Sequence, residues 1–161
     1  MTTKNLVIVG ASGMVGGHAL RDALEHPHVE RVTSIGRKTL GLSHPKLREV
    51  VHPDFADCSA LAEVLLNQDA AIFCLGAYTG AVSDAEFRKV TVDYPIEFAR
   101  VLQKSSSTAA FSFLSGQGAD PSGKSRIAFA PGGVADPFLL AVEDPGVSVP
   151  FGCCSESARS A

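Results

Sequence analysis

The stretch Asn5 to Gly17, NLVIVGASGMVGG, decides the fold. Leu6, Val7, Ile8 and Val9 are a short apolar, mostly β-branched run, the pattern of a strand buried on both faces. Gly10, Gly13 and Gly16 follow at three-residue spacing. Val15, Ala19, Leu20, Ala23 and Leu24 then recur with the period of a helix. A glycine turn between a buried strand and a helix brings backbone N–H groups up to a phosphate, and the helix N-terminus adds partial positive charge. Side chains at the glycine positions would block that approach. A glycine pattern alone is weak, but here both flanks are right.

Outward from this stretch, four more strands are legible. Arg31 to Gly36 follows the loop His26-Pro27-His28, Leu47 to His52 centres on Val50 and Val51, Ala70 to Leu75 reads AAIFCL, and Ala109 to Leu114 reads AFSF within its bounds. Helical segments separate them. Leu61, Val64 and Leu65 mark one, opened by Asp54 or Asp57 and closed at Asn67-Gln68-Asp69. Ser83-Asp84-Ala85-Glu86 is a capping box that opens another. Phe87, Val90, Tyr94, Phe98, Val101 and Leu102 are spaced as its packing face and are assigned to the core, and Pro95 should kink or restart that helix. Strands alternating with helices, with the glycine turn after the first strand, predict a doubly wound parallel α/β sheet of five strands, and the dinucleotide-binding, Rossmann-like form of that sheet has the order 3-2-1-4-5.

In such a sheet the end of the second strand meets the adenosine ribose, about 20 residues past the glycines. An acidic residue there would accept from a free 2′-hydroxyl. This chain has Gly36, Arg37 and Lys38 instead. Arginine pairs with a 2′-phosphate in a charge-assisted, bidentate manner, so NADP(H) is the expected cofactor, with Arg37 the main discriminator and Lys38 secondary. Asp54 and Asp57 read either as acid–base carboxylates or, more economically, as helix caps with a contact to the adenine edge. Gly76 ends the fourth strand where a small residue lets the chain pass beside a flat cofactor. Tyr78 in the following loop reads equally as a substrate or nicotinamide contact and as an ordinary loop residue.

Composition narrows the partners. The chain has 161 residues, net charge −3 and no basic run, which disfavours nucleic acid and anionic membranes. No apolar stretch is long enough for a membrane span, and the first residues lack the apolar core of a signal peptide. Cys58, Cys74, Cys153 and Cys154 form no CxxC pair, so neither a zinc site nor a disulfide framework is indicated. Cys74 lies inside an apolar run and reads as core. His26 and His28 lack a carboxylate or cysteine cluster and read as solvent-facing loop residues rather than metal ligands. A reducing cytoplasm is the simplest compartment.

With these pieces assembled, the chain resembles the atypical short-chain dehydrogenase/reductase superfamily. It is most similar there to the NAD(P)-binding oxidoreductase-like proteins of the Tat-interacting protein group. The matching segments are VIVGASGMVG (7–16), IGRK (35–38), FCLGAYTG (73–80), VTVDYPIEFA (90–99) and FLSGQGAD (113–120). The resemblance implies a Rossmann-like fold in which Gly10, Ser12, Gly13, Met14, Val15 and Gly16 hold the pyrophosphate. It places Arg37 and Lys38 at the 2′-phosphate and Asp54 and Phe55 beside the adenine. Leu75, Gly76 and Ala77 would line the nicotinamide-ribose passage, and Ser115 would position the carbonyl of a small-molecule substrate.

The sequence also departs from this group. Its members carry a tyrosine and, four residues later, a lysine for proton transfer. The corresponding positions are Phe129 and Gly133, and neither tyrosine of the chain lies beyond Tyr94. From Pro131 onward the similarity ends. The last 31 residues hold four prolines and four glycines, which disfavours a long helix. The expectation is a nucleotide-binding domain over 1–130 and a poorly structured tail over 131–161. That tail reads either as a frameshifted or truncated product or as a divergent short form. Loss of a sixth strand would leave a sheet edge open to pairing with another chain, such as a second copy. Two functions remain: an NADP(H)-dependent oxidoreductase with weak or no turnover, or a non-catalytic regulatory or scaffold protein that responds to NADP(H). An inactive fragment is the third reading.

Overall fold

A computed structural model describes residues 3–77 and 81–114. Strands β1 (Lys4–Val9), β2 (Val29–Gly36), β3 (Leu47–Val51), β4 (Ala70–Phe73) and β5 (Ala110–Phe113) form one sheet in the order β3-β2-β1-β4-β5. All four pairings are parallel. Helix α1 (Met14–Glu25) connects β1 to β2, and α2 (Asp84–Arg88) and α3 (Tyr94–Ser105) lie between β4 and β5. The expected strand order is therefore observed, with strand ends shifted by up to two residues. Tyr78, Ser115, Phe129, Gly133 and the whole of 131–161 lie outside the described residues.

Strand alternation divides the apolar residues between two layers. Val7 and Val9 of β1 face a core shared with Ile35, Phe55, Leu61, Leu65, Phe73, Phe98, Leu102 and Phe111. Ile8 faces the opposite layer, where Leu20 and Ala23 of α1 pack with Ala11 and Val32. Phe73 is the hub of the larger layer, with ring centroids of Phe55, Phe98, Phe111 and Phe113 between 5.5 and 6.3 Å away. These aromatic contacts fix β4 and β5 against α3. At one edge of the described sheet, β5 exposes Ala110 and Ser112.

One expected helix takes a different form. The segment around Leu61, Val64 and Leu65 is a 3₁₀ turn (Ser59–Leu61) followed by turns, not an α-helix. Asp54 and Asp57 each accept from the backbone N–H two residues on, Ala56 at 3.0 Å and Ser59 at 2.9 Å, so they form tight local turns instead of helix caps. Asn67, with φ of 58°, then ends the segment in the left-handed region. Leu61 and Leu65 still reach the core, because one i to i+4 bond, Leu65 N–H to Leu61 C=O, keeps them on one side.

Pro95 does restart its helix. Between α2 and α3 the chain makes a π-helical turn, Lys89–Asp93, and the Tyr94 N–H donates to the Lys89 carbonyl. Pro95 has no N–H and its ring crowds the preceding turn, so a wider turn accommodates it. At the head of α2 the Ser83 Oγ accepts from the Glu86 N–H at 3.3 Å, the cap expected from the sequence.

Candidate functional site

The carboxyl ends of β1, β2, β3 and β4 carry the described residues that the sequence assigned to a cofactor: 10–16, 37–38, 54–55 and 75–77. In an open α/β sheet this edge is the ligand crevice, centred where the strand order reverses. Here that point lies between β1 and β4.

The glycine turn occupies it. Gly10 has φ of +83°, a conformation that side chains rarely adopt, and donates its N–H to the Ile35 carbonyl of β2 at 3.2 Å. A Cβ at Gly10 would lie 3.1 Å from the Cys74 backbone carbon and the Leu75 nitrogen. Gly13 caps α1 and donates to the Gly10 carbonyl at 3.0 Å. A Cβ at Gly16 would fall 2.2 Å from the Gly10 carbonyl oxygen, so only glycine lets α1 pack this closely on the turn. Ser12, Gly13, Met14 and Val15 are exposed, and Met14 is 77% so. No side chain caps α1 and no acidic residue lies in its first turn. Among the described residues its leading N–H groups and positive dipole end thus have no side-chain cap and no carboxylate in their own first turn.

Arg37 and Lys38 leave the end of β2 and are both exposed, with no ion pair among the described residues. The Gly36 carbonyl accepts from the His52 N–H at 2.8 Å, which ties the ends of β2 and β3 together. His52 is buried and its Nε2 lies 3.0 Å from the Asp57 carbonyl oxygen. After β4, Leu75 is half-buried against the larger core, Gly76 is exposed and Ala77 half-buried. Nothing lies within 4 Å of a Cβ at Gly76, so packing within the described residues does not require glycine there.

Asp54 and Phe55 separate. Asp54 is exposed, whereas the Phe55 ring is 1% exposed and packs edge-on against His52 and Phe73. The Phe55 side chain is therefore a core anchor rather than a surface for a ligand. Asp54 Oδ1 accepts from Ala56 N–H and also from the Tyr94 hydroxyl at 3.2 Å. The Ala56 N–H, then the Tyr94 hydroxyl and the Lys89 charge, hold Asp54 below the ordinary carboxylate range. Lys89 Nζ lies 5.5 Å from the centre of the Tyr94 ring. Its interaction with the Tyr94 side chain, followed by the Asp54 charge, holds Lys89 above its ordinary range.

The helical spacing assigns Tyr94 to the core and does not reveal this cluster. The ring does pack beside Phe55, at 6.0 Å, but the hydroxyl reaches a carboxylate 40 residues away. The only local signal was Pro95, which puts a helix break next to it. Elsewhere, Cys74 is half-buried, and burial raises its thiol above the ordinary value. His26 and His28 are exposed in the turn after α1, where His26 Nδ1 accepts from the His28 N–H.

Fold and glycine turn together define the class: a Rossmann-type α/β protein. No protein-family model matches the chain. Protein HTATIP2 of Rattus norvegicus is 31% identical over 124 residues, 76% of this chain and 51% of that protein. The LysW-L-2-aminoadipate 6-phosphate reductase of Deinococcus radiodurans is 37% identical over 102 residues, 59% of this chain and 28% of that enzyme. Among solved structures, a mutant uronate dehydrogenase from Agrobacterium tumefaciens, complexed with NAD, shares the fold. Its TM-score is 0.56 at 18% identity, covering 74% of this chain and 43% of that one. Within the Rossmann class the chain is similar to proteins of the atypical short-chain dehydrogenase/reductase type. It spans about half the length of the first relative and less than a third of the second.

Proposed function

We propose that the protein binds NADP(H) at the carboxyl edge of its sheet, as an oxidoreductase-type domain whose turnover is weak or absent. The observation that carries this reading is the glycine turn. Gly10 is held at a positive φ with backbone 3.1 Å from a Cβ, a Cβ at Gly16 would strike the Gly10 carbonyl, and the exposed start of α1 has no side-chain cap and no acidic residue in its first turn among the described residues. The residues present therefore fit a pyrophosphate, with Gly10, Ser12, Gly13, Met14, Val15 and Gly16 around it. Arg37, supported by Lys38, takes the 2′-phosphate. Asp54 meets the adenine edge, and Phe55 contributes only by anchoring that loop. Leu75, Gly76 and Ala77 flank the nicotinamide ribose. The NAD bound to the uronate dehydrogenase of the same fold, and the reductase activity named for the Deinococcus relative, support a nicotinamide dinucleotide here, and the preference for NADP(H) rests on Arg37 and Lys38.

When bound, such a cofactor supplies or accepts a hydride. The chain's part is to bind and orient it, and Ser115 would hold a substrate carbonyl by hydrogen bond. Phe129 and Gly133 offer no proton donor and no cation. That observation favours a second reading, a regulatory or scaffold protein whose contacts depend on NADP(H). The free Cys58 and Cys74 accord with a reducing compartment, and we place the protein in the cytoplasm. No helix among the described residues is long and apolar enough to cross a membrane.

Titration of the protein with NADPH and with NADH, read by cofactor fluorescence, tests the binding. NADPH should bind at least tenfold more tightly, about 1.4 kcal/mol. Arg37→Asp should remove that preference while leaving NADH affinity nearly unchanged. Failure to bind either cofactor overturns the proposal. If binding holds, oxidation of bound NADPH by a panel of carbonyl compounds separates weak turnover from none.

A further inference from the structure

We propose that Tyr94, backed by Lys89, is a positioning residue that fixes the Asp54 carboxylate so that its other oxygen selects a base bearing an exocyclic amino group. The proposal rests on the nucleotide reading above and deepens it.

Asp54 stands three residues beyond β3, at the ligand edge of the sheet. Phe55, buried beside it, pins the backbone, so the Asp54 carboxylate is carried on a rigid point while remaining in solvent. Both hydrogen bonds it makes among the described residues fall on Oδ1, from Ala56 N–H at 3.0 Å and from the Tyr94 hydroxyl at 3.2 Å. Two donors on one oxygen fix the carboxylate rotation and leave Oδ2 as the acceptor for a donor from outside. Tyr94 is itself held on three sides. Its backbone N–H closes the π-helical turn, its ring packs against Phe55, and the Lys89 ammonium lies over the ring face. A π-helical turn here, between two α-helical segments, brings Lys89 and Tyr94 to the same point.

An exposed hydrogen-bonded pair of this kind contributes little to stability. It does set direction. A fixed carboxylate oxygen accepts from the 6-amino group of adenine, whereas the 6-oxo group of hypoxanthine presents lone pairs to it. A site arranged to bond one group rejects the analogue lacking it more strongly than an apolar site would.

The test compares NADPH with its hypoxanthine analogue by fluorescence titration on the full chain and on Tyr94→Phe and Asp54→Asn, with thermal melts to check folding. The unaltered protein should prefer NADPH by about tenfold or more. Tyr94→Phe should cut that preference to about threefold or less by weakening NADPH alone, since the analogue gains nothing from the fixed carboxylate. Asp54→Asn keeps an Oδ1 acceptor for Ala56 and Tyr94 but turns an N–H outward, so the preference should reverse. Equal weakening of both ligands in Tyr94→Phe would mark a merely structural role and overturn the proposal, as would an unchanged preference. Equal binding of both ligands by the unaltered protein overturns this inference while leaving the nucleotide reading intact. Absence of binding to either overturns that reading itself.

Discussion

A Cβ added at Gly16 would lie 2.2 Å from the Gly10 carbonyl oxygen, whereas one added at Gly76 meets nothing within 4 Å. The two glycines therefore separate a position that packing requires to be glycine, Gly16, from one that packing among the described residues leaves open, Gly76. Gly16→Ala must push α1 away from the turn, and it should destabilise the protein by about 1–3 kcal/mol as well as abolish NADPH binding. Gly76→Ala should leave the urea midpoint unchanged and weaken NADPH binding only, through contact with the nicotinamide ribose. Equal stability of Gly16→Ala and the unaltered protein would show that the turn is more yielding than its backbone contacts imply. Gly13 is intermediate, because its Cβ would rest 3.4 Å from the Gly10 oxygen, close to ordinary contact.

Between elements, Asp69 ties the first, fourth and fifth strands at their amino ends. Its carboxylate takes Lys4 Nζ at 2.7 Å and the Asn5 N–H at 2.8 Å, and its backbone pairs with Asn5 and Ala110. The Lys4 ammonium and then the Asn5 N–H hold this carboxyl below its ordinary value of 3.8. A carboxyl depressed on folding stabilises fully above its unfolded value, and that stability is lost as pH falls through the lower folded value. Asp69→Ala should therefore cost about 1 kcal/mol at pH 7, mostly from the backbone hydrogen bond, since the Lys4 pair is solvent-screened. The deficit should shrink as the pH is lowered below 3.8. Urea midpoints of both proteins across that range measure it, and a deficit independent of pH would exclude the charge as its source. This tie lies at the sheet edge away from the glycine turn, so cofactor affinity at pH 7 should not change.

Across the whole molecule, the larger core behaves as one packed unit between the sheet and α3. Cys58 reports on it. The thiol is fully buried, donates weakly to the Phe55 carbonyl, and is pushed up to about 12, chiefly by burial. A thiol so raised holds almost no thiolate at pH 8, and reagent reaches it only when the core opens. Alkylation of Cys58 with iodoacetamide, followed by peptide mass mapping, should be at least about tenfold slower in native protein than in urea. Equal rates would mean that the layer around Phe55, Leu61 and Leu65 opens without global unfolding. Bound NADPH should slow the native reaction further, because a ligand that binds only the folded state lowers the open population.

Local chemistry by itself determined which segments form strands, the glycine turn, the helix restart at Pro95 and the cap at Ser83. Each of these depends on neighbours in sequence: β-branched runs, glycine spacing, a missing N–H, a hydroxyl three residues before its donor. Only the tertiary structure decided the rest. Leu61 and Leu65 carry a helical spacing, yet the two aspartate turns before them and the left-handed Asn67 after them leave too short a span for an α-helix. Phe55 and Asp54 look like one ligand-facing pair, but core packing against Phe73 takes the ring inward and leaves the carboxylate outside. Tyr94 shares its periodicity with true core residues, and its hydroxyl finds Asp54 only because α3 and the loop after β3 meet at the same edge. Such pairings are set by how layers stack. Periodicity specifies which face of an element is apolar, and it is silent on what polar group another element brings to the rim of that face.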